Sequence, residues 1–313
     1  MREDFDLETS AEEDTSLSGG VWGQNMIPEK GPDIYGFVVA DAPRMVETYK
    51  LWRKKAPDIH AVVSEFCSWV DFSRESLNLI NVAANLATEE MNNPYHNNLH
   101  SLEVFSFAFS LGYDAYQEGR ITEKEFALLL TSALLHDYAH DGTTNDGEQF
   151  KLERASVESF MPALIGAGAS LDDRAMIRAM VFATDVTKDF SNPESKSPAD
   201  TLKLYKAGKI DHIHEALEIL EDKGVVELAV MLVDSDIGVG FLDKDFLNEN
   251  TRNLNEENGT PLGKPSQQFF FSNVCGNDLL YSNSGAKLFG QRLVAIKNYV
   301  FDDASLNRNQ APK

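Results

Sequence analysis

The segment FALLLTSALLHDYAH, Phe126 to His140, is apolar on nearly every side. It is preceded by Thr122, with Glu125 three residues on, which is the pattern of a capping box. A helix without a polar face is buried, so this stretch is predicted to be the central helix of the fold. Helical spacing without proline also runs through SRESLNLINVAANLATEEM (73–91), SLEVFSFAFSLGYDAYQE (101–118) and GAKLFGQRLVAIKNY (285–299). Ser170 opens LDDRAMIRAMVFATD, and Asp211 caps HIHEALEILEDK, which Gly224 stops. Clean strand alternation bounded by hairpin turns is absent. The expectation is an all-α, compact multi-helix domain.

Prolines, serines and asparagines mark loops at 192–201 and, longer, at 248–268. Residues 1–20 are acidic with few large apolar side chains and read as a disordered tail, leaving 21–313 as a single helical domain. A net charge of -22 opposes phosphate backbones and anionic lipid faces, which excludes nucleic acid and membrane surfaces as general partners. A small anionic substrate stays compatible with that charge only where bound cations reverse the field. No stretch is long and apolar enough to span a bilayer, and the N-terminus lacks the regions of a signal peptide. Cys67 and Cys275 form no metal or disulfide framework, and the expected location is cytoplasmic.

The chemistry concentrates in histidines. Four of the seven fall in two compact motifs, His96 and His100 in YHNNLH, and His136 and His140 in LLHDYAHDG, with Asp137 between the second pair. On a helix, residues four apart differ by about 40° and share a face. Both motifs can then present ligands to one spot, and imidazole with carboxylate suits zinc and other divalent first-row metals. Asp137 can bridge two cations, an arrangement that clamps a phosphoryl group for in-line attack. LAVMLVDSDIG is apolar until Asp234 and Asp236, and one of these is the natural further ligand. His60, His212 and His214 stand outside the pattern, the last two suited to a solvated or capping role.

These residues carry a resemblance. NPYHNNLHSLEVF (93–105) is similar to the first signature, and ALLHDYAHDGTTN (133–145) to the second, of the class I cyclic nucleotide phosphodiesterases, metal-dependent phosphohydrolases of the HD type. ATDVTK (183–188) and VDSDIG (233–238) resemble two later segments. The resemblance implies that His100, His136, Asp137 and Asp236 hold one metal, usually zinc. Asp137 bridges to a second, usually magnesium (or manganese), and a hydroxide shared by the two attacks the phosphodiester. It further implies His96 as general acid, His140 beside the metal waters, and Glu153 and Asp185 supporting the second metal's water shell. The implied substrate is a small-molecule cyclic nucleotide, cAMP and/or cGMP, cleaved to the 5′-nucleoside monophosphate. Another nucleotide or phosphate ester, or a catalytically weak binding relative, are the alternatives.

The chain departs from the family at Asp141, where proline is usual, at Asp189, where histidine is usual, and at Val239, where asparagine is usual. The base-reading Gln-x-x-Phe finds its nearest fit at Ala286–Phe289, which keeps the aromatic and loses the amide. Tyr95, Phe289 and Gln291 are therefore the candidate substrate contacts. With alanine and valine where the family has amides, weak distinction between adenine and guanine is expected.

Overall fold

The computed structural model describes residues 42–89, 91–187, 197–259, 263–273 and 280–302. The acidic segment 1–20, Asp189 and Cys275 lie outside them. In chain order the helices are α1 (Ala42–Lys54), α2 (Ile59–Cys67), α3 (Arg74–Ala87), α4 (Asn98–Gln117), α5 (Glu123–Leu135), α6 (Lys151–Gly166), α7 (Leu171–Phe182) and α8 (Pro198–Lys206). They continue with α9 (Glu218–Asp222), α10 (Val226–Gly238), α11 (Lys244–Asn258), α12 (Lys264–Asn273) and α13 (Asn283–Phe301). Single 3₁₀ turns occupy Glu215–Leu217 and Val239–Phe241. No strand occurs among the described residues, as the all-α expectation requires.

Helix α5 is the centre. Thr122 Oγ1 accepts from Glu125 N at 3.2 Å, and the Glu125 carboxylate accepts from Thr122 N at 2.6 Å, which completes the capping box. Every residue from Phe126 to Leu135 is buried. Helices α3, α4, α7 and α10 surround it, and α4 in turn packs on α10, α13 and α1. One hydrophobic core runs from Ala42 to Val300. Cys67 is a buried free thiol whose pKa burial pushes up to about 12. No helix among the described residues is long and apolar enough to cross a membrane.

Three boundaries differ from the sequence reading. The Asn-rich stretch 248–268, expected to be a loop, is mostly helix, α11 and the start of α12. Asp243 caps α11 through Asp245 N at 2.7 Å, and Phe246, Leu247 and Asn250 are buried along it. Its asparagines have low helix propensity but find specific tertiary partners, so packing overrides propensity. Asp211 does not open a helix. The chain stays irregular until Glu215, and His214 Nδ1 accepts from Ala216 N at 3.1 Å in the cap position instead. In the loop expected over 192–201, Ser197 caps α8, which begins at Pro198.

The approach of α10 to α4 decides where Asp236 sits. A Cβ on Gly238 would lie 2.7 Å from Cζ of Phe107. Phe107 is itself clamped, its ring stacked on Phe289 at 4.3 Å. Glycine is thus required by proximity at this point. Gly238→Ala is expected to cost about 1–3 kcal/mol of stability, the scale of overpacking a filled core. Because α10 carries Asp236, metal affinity should fall with it, measurable by thermal unfolding and metal titration of the same sample.

Candidate metal centre and catalytic cavity

His100 lies in the first turn of α4, and Asn97 starts that helix by accepting from Leu99 N and His100 N at 3.0 and 3.1 Å. His96 therefore precedes the helix. His136 is the C-cap of α5, and Asp137 follows in the turn that ends it. Shared helical faces thus do not explain either histidine pair. The polypeptide turns at both places, and Ala139 adopts φ +62°, which re-aims His140. Asp146 and Phe150, at φ +52° and +63°, complete a loop rich in left-handed residues.

Ligand atoms of His100, His136, Asp137 and Asp236 all lie within 4.8 Å of one another. His136 Nε2 is 3.0 Å from Asp137 Oδ2 and 3.5 Å from Asp236 Oδ1, and His100 Nε2 is 3.4 and 3.3 Å from the same two oxygens. Neither Nε2 has a partner with hydrogen-bond geometry, although both are buried. His136 Nδ1 donates to Ala133 O at 3.0 Å, which leaves Nε2 as the lone pair. Orphaned nitrogens facing two carboxylates, that of His136 with its tautomer fixed, fit a divalent cation. Taken by themselves, the four groups ionise one another. Burial opposes charge on His100, but Asp137 and Asp236 outweigh it and raise the imidazole to about 9.

Asp234 and Asp236 part company because residues two apart on a helix point about 200° from each other. Asp234 is fully buried on the far side, accepting from Ser282 N at 2.7 Å and Tyr281 N at 3.0 Å at the start of α13. Burial lifts its carboxyl to about 6 against the opposing pull of Lys203.

Around the cluster opens a cavity of about 460 Å³. One wall holds Asn145, whose Nδ2 lies 3.1 Å from Glu153, 3.2 Å from Asp185 and 3.0 Å from Thr187 Oγ1. Burial first, then the charge of Asp185, raises Glu153 to about 8. His96 and His140 also line the cavity, with rings stacked at 3.9 Å. His140 Nδ1 accepts from Gly142 N at 3.0 Å, and burial followed by repulsion from His96 lowers its pKa. Tyr95 packs on His100 at 4.6 Å between ring centres and lines the cavity.

Two functional groups were missed in the sequence. Glu257 Oε2 accepts from Tyr95 N at 2.8 Å and His96 N at 3.1 Å, while Oε1 pairs with His96 Nδ1. Burial would raise this carboxyl, but His96 and the two N–H groups draw it down to about 2. Gln267 and Phe270 of α12 also line the cavity. They form a Gln-x-x-Phe 31 residues after Asp236, ahead in the chain of the Ala286–Phe289 fit taken from the sequence. The substitutes expected from sequence do not reach this cavity. Phe289 is buried against Phe107, and Gln291 is exposed on the outer face of α13. The signal in SQQFFF was legible but was hidden by reading the segment as a loop.

Fold and site together define an all-helical domain built around a His/Asp group suited to a divalent metal. Residues 95–155 match the family model of 3′5′-cyclic nucleotide phosphodiesterase, a span that includes His96, His100, His136, Asp137, His140 and Glu153. Over 54 residues the chain is 43% identical to dual specificity calcium/calmodulin-dependent 3′,5′-cyclic nucleotide phosphodiesterase 1 of Drosophila melanogaster, covering 17% of this chain and 6% of that one. The 1C protein of that name from Mus musculus is 41% identical over 54 residues, 17% of this chain and 8% of its own length. The fold is similar to the phosphodiesterase domain of the RhoPDE fusion protein from Salpingoeca rosetta, with a TM-score of 0.54 at 17% identity over 87% of this chain and 92% of that one. The resemblance to a class I cyclic nucleotide phosphodiesterase domain therefore holds for both the site segment and the fold.

The divergent placing of the two aspartates is testable. Asp236→Asn should lose bound metal with the fold retained. Asp234→Asn should keep the metal and lower the melting temperature, because a buried acceptor of several N–H bonds is weakened. Elemental analysis with thermal unfolding separates the two.

Proposed function

We propose that this chain hydrolyses a 3′,5′-cyclic nucleotide to the 5′-nucleoside monophosphate. The observation that carries the reading is His96, backed by the Glu257 carboxylate and facing a cavity whose floor is the His/Asp cluster. His100, His136, Asp137 and Asp236 would hold a cation, with zinc favoured by the imidazole content. A second cation, magnesium or manganese, would sit beside Asp137, towards the oxygen-rich wall of Glu153 and Asp185. Bound divalent ions supply activation of water and neutralisation of phosphoryl charge.

The chain's own residues do the rest. Glu257 fixes His96 Nδ1, which leaves Nε2 to hold the proton destined for the leaving oxygen. The water oxygen bonds to phosphorus, the P–O3′ bond breaks, O3′ takes the His96 proton, and the proton from water restores the imidazole. His140, kept neutral beside it, bears on the same face of the cavity without adding charge. Residues 21–313 are taken as one catalytic unit, supported by the continuous core, and the cytoplasm as its location, supported by the free buried thiol of Cys67.

Gln267 supplies the amide that reads the base. Thr251 Oγ1 already donates to Leu247 O at 2.7 Å, so it can only accept from Gln267, whose Nε2 it meets at 3.0 Å. Asn248 Oδ1 takes the other Nε2 hydrogen at 3.0 Å. Both donors are committed, and Oε1 is left as an acceptor that suits the N6 amino group of adenine, where guanine presents the O6 acceptor. Phe270 and Phe241 offer apolar faces beside it. The expectation of weak base discrimination rested on Ala286 and Val239, and Gln267 removes its premise.

His96→Ala should keep the metal and lose about 10²–10⁴-fold in turnover. Glu257→Gln should lose less, about 10–100-fold, as for a partner that orients a working side chain. A nitrophenyl phosphodiester, whose leaving group needs little protonation, should suffer less from either change. Loss of metal in His96→Ala, or absence of cyclic nucleotide turnover by metal-loaded wild type across a panel, would refute the reading. The adenine cyclic nucleotide should exceed the guanine one in kcat/KM by about tenfold or more, equivalent to about 1.4 kcal/mol. Gln267→Ala should erase that ratio, and a guanine preference in wild type would show that the amide is turned the other way.

A further inference from the structure

The catalytic cavity shares a wall with a second, smaller cavity of about 200 Å³, and Asn250 of α11 stands in that wall. Its side chain is nearly buried, at 6% exposure. Oδ1 accepts from Arg53 Nη2 at 2.9 Å. Arg53 is held from behind, since its Nε and Nη2 each donate to a different oxygen of Glu103 at 2.9 Å. Its guanidinium also lies 4.3 Å from the ring of Phe246. Glu103 is itself buried in α4, one turn beyond His100.

This arrangement fixes which way the amide points. Arginine has five donors and no acceptor, so an amide can meet it only through oxygen. Nδ2 is therefore the end turned away from Arg53. It stands against Gly240, where an added Cβ would come 3.4 Å from it, and Gly240 lines the catalytic cavity four residues after Asp236. Nδ2 donates to no group among the described residues. Glu103 and Glu249, whose carboxylate lies 3.1 Å from Arg53 Nη1, more than offset the guanidinium charge, and what reaches the cavity is the neutral, pre-aimed donor of the amide. An amide with its acceptor end locked and its donor end free is suited to recognising an oxygen.

We propose that Asn250 is a substrate-binding residue whose Nδ2 donates to an oxygen of the ribose–phosphate part of the substrate, with Arg53 as its positioning residue. The proposal rests on the phosphodiesterase reading above. Its contact with Gly240, four residues after Asp236, and the lining it shares with Tyr95 assign Asn250 to the metal end of the cavity. Gln267, held by Thr251 and Asn248, serves the base. The oxygen-only acceptor surface of a sugar phosphate matches a donor that need not tell one base from another.

The test compares metal-loaded wild type with Asn250→Asp and Asn250→Ala on both cyclic nucleotides. Asn250→Asp keeps the shape and gives Arg53 a carboxylate to hold, but it replaces the donor by an acceptor. The expected result is a KM raised by about tenfold or more, the scale of a lost hydrogen bond in a polar site. The factor should be the same for both bases, with kcat, metal content and melting temperature little changed. An unmoved KM, a penalty confined to one base, or a rise in KM that merely follows metal loss would each overturn the role. Should both variants fail to fold, wild-type protein with assigned side-chain amides provides the reading. Adenosine 5′-monophosphate should shift the Asn250 Nδ2 proton signals, and signals left in place would overturn the proposal. Failure of wild type to turn over either nucleotide would refute the phosphodiesterase reading itself, whereas turnover with an unmoved KM in the variants refutes only Asn250.

Discussion

Two imidazoles and two carboxylates meet at the end of three buried helices, and the architecture around them is organised to make that meeting possible. Burying such groups is costly unless opposite charges or a cation compensate them. His100, His136, Asp137 and Asp236 achieve compensation only together, because each nitrogen faces oxygens from two different chain segments. The contact of Gly238 with Phe107 serves this end, as does the wholly apolar α5 that delivers His136 to the centre. The metal group is thus a packing constraint as much as a chemical one, and α4, α5 and α10 are positioned by it.

Much of this was legible in the residues. The two histidine motifs, the capping box at Thr122 and the apolar run behind His136 follow from composition and spacing, whereas the choice of Asp236 over Asp234 rests on the family resemblance alone. The four histidines of the two motifs do come together around one cavity, although the helix ends or begins between the members of each pair. Close spacing on either side of a helix terminus brings side chains together as effectively as a common face. What could not be read was α11. Its sequence KDFLNENTRNLNEEN has the polarity and asparagine content of a loop, and its helical state depends on partners far along the chain, such as Arg53 for Asn250 and Gln267 for Asn248. Losing α11 also hid Glu257, since a glutamate in a loop carries no sign that it will face a histidine.

The loop that follows α5 shows another limit of local reading. Ala139, Asp146 and Phe150 adopt left-handed backbone angles without being glycine. Each such residue costs on the order of 1–3 kcal/mol and persists only where surrounding structure over-determines it. Here the compensation is visible. Asn93 Nδ2 holds the His140 carbonyl at 2.7 Å, and Asp185 accepts from Phe150 N at 2.8 Å, so the strained turns are tied to the walls of the cavity they shape. A sequence indicates neither the strain nor the ties.

Helix α11 touches the groups assigned to both ends of the substrate. Thr251 restrains the amide of Gln267, and Glu257, six residues on, restrains the imidazole of His96. At about 1.5 Å per residue these attachments are about 9 Å apart along one rigid rod. A rod of fixed length works as a gauge. Small changes that tilt or slide it move the base contact and the proton donor in concert, so the span between them is preserved while their common position shifts. With the proposed roles of Gln267 and His96, ligands would be sorted by the separation between their heterocycle and their scissile oxygen, a criterion of length set by the helix.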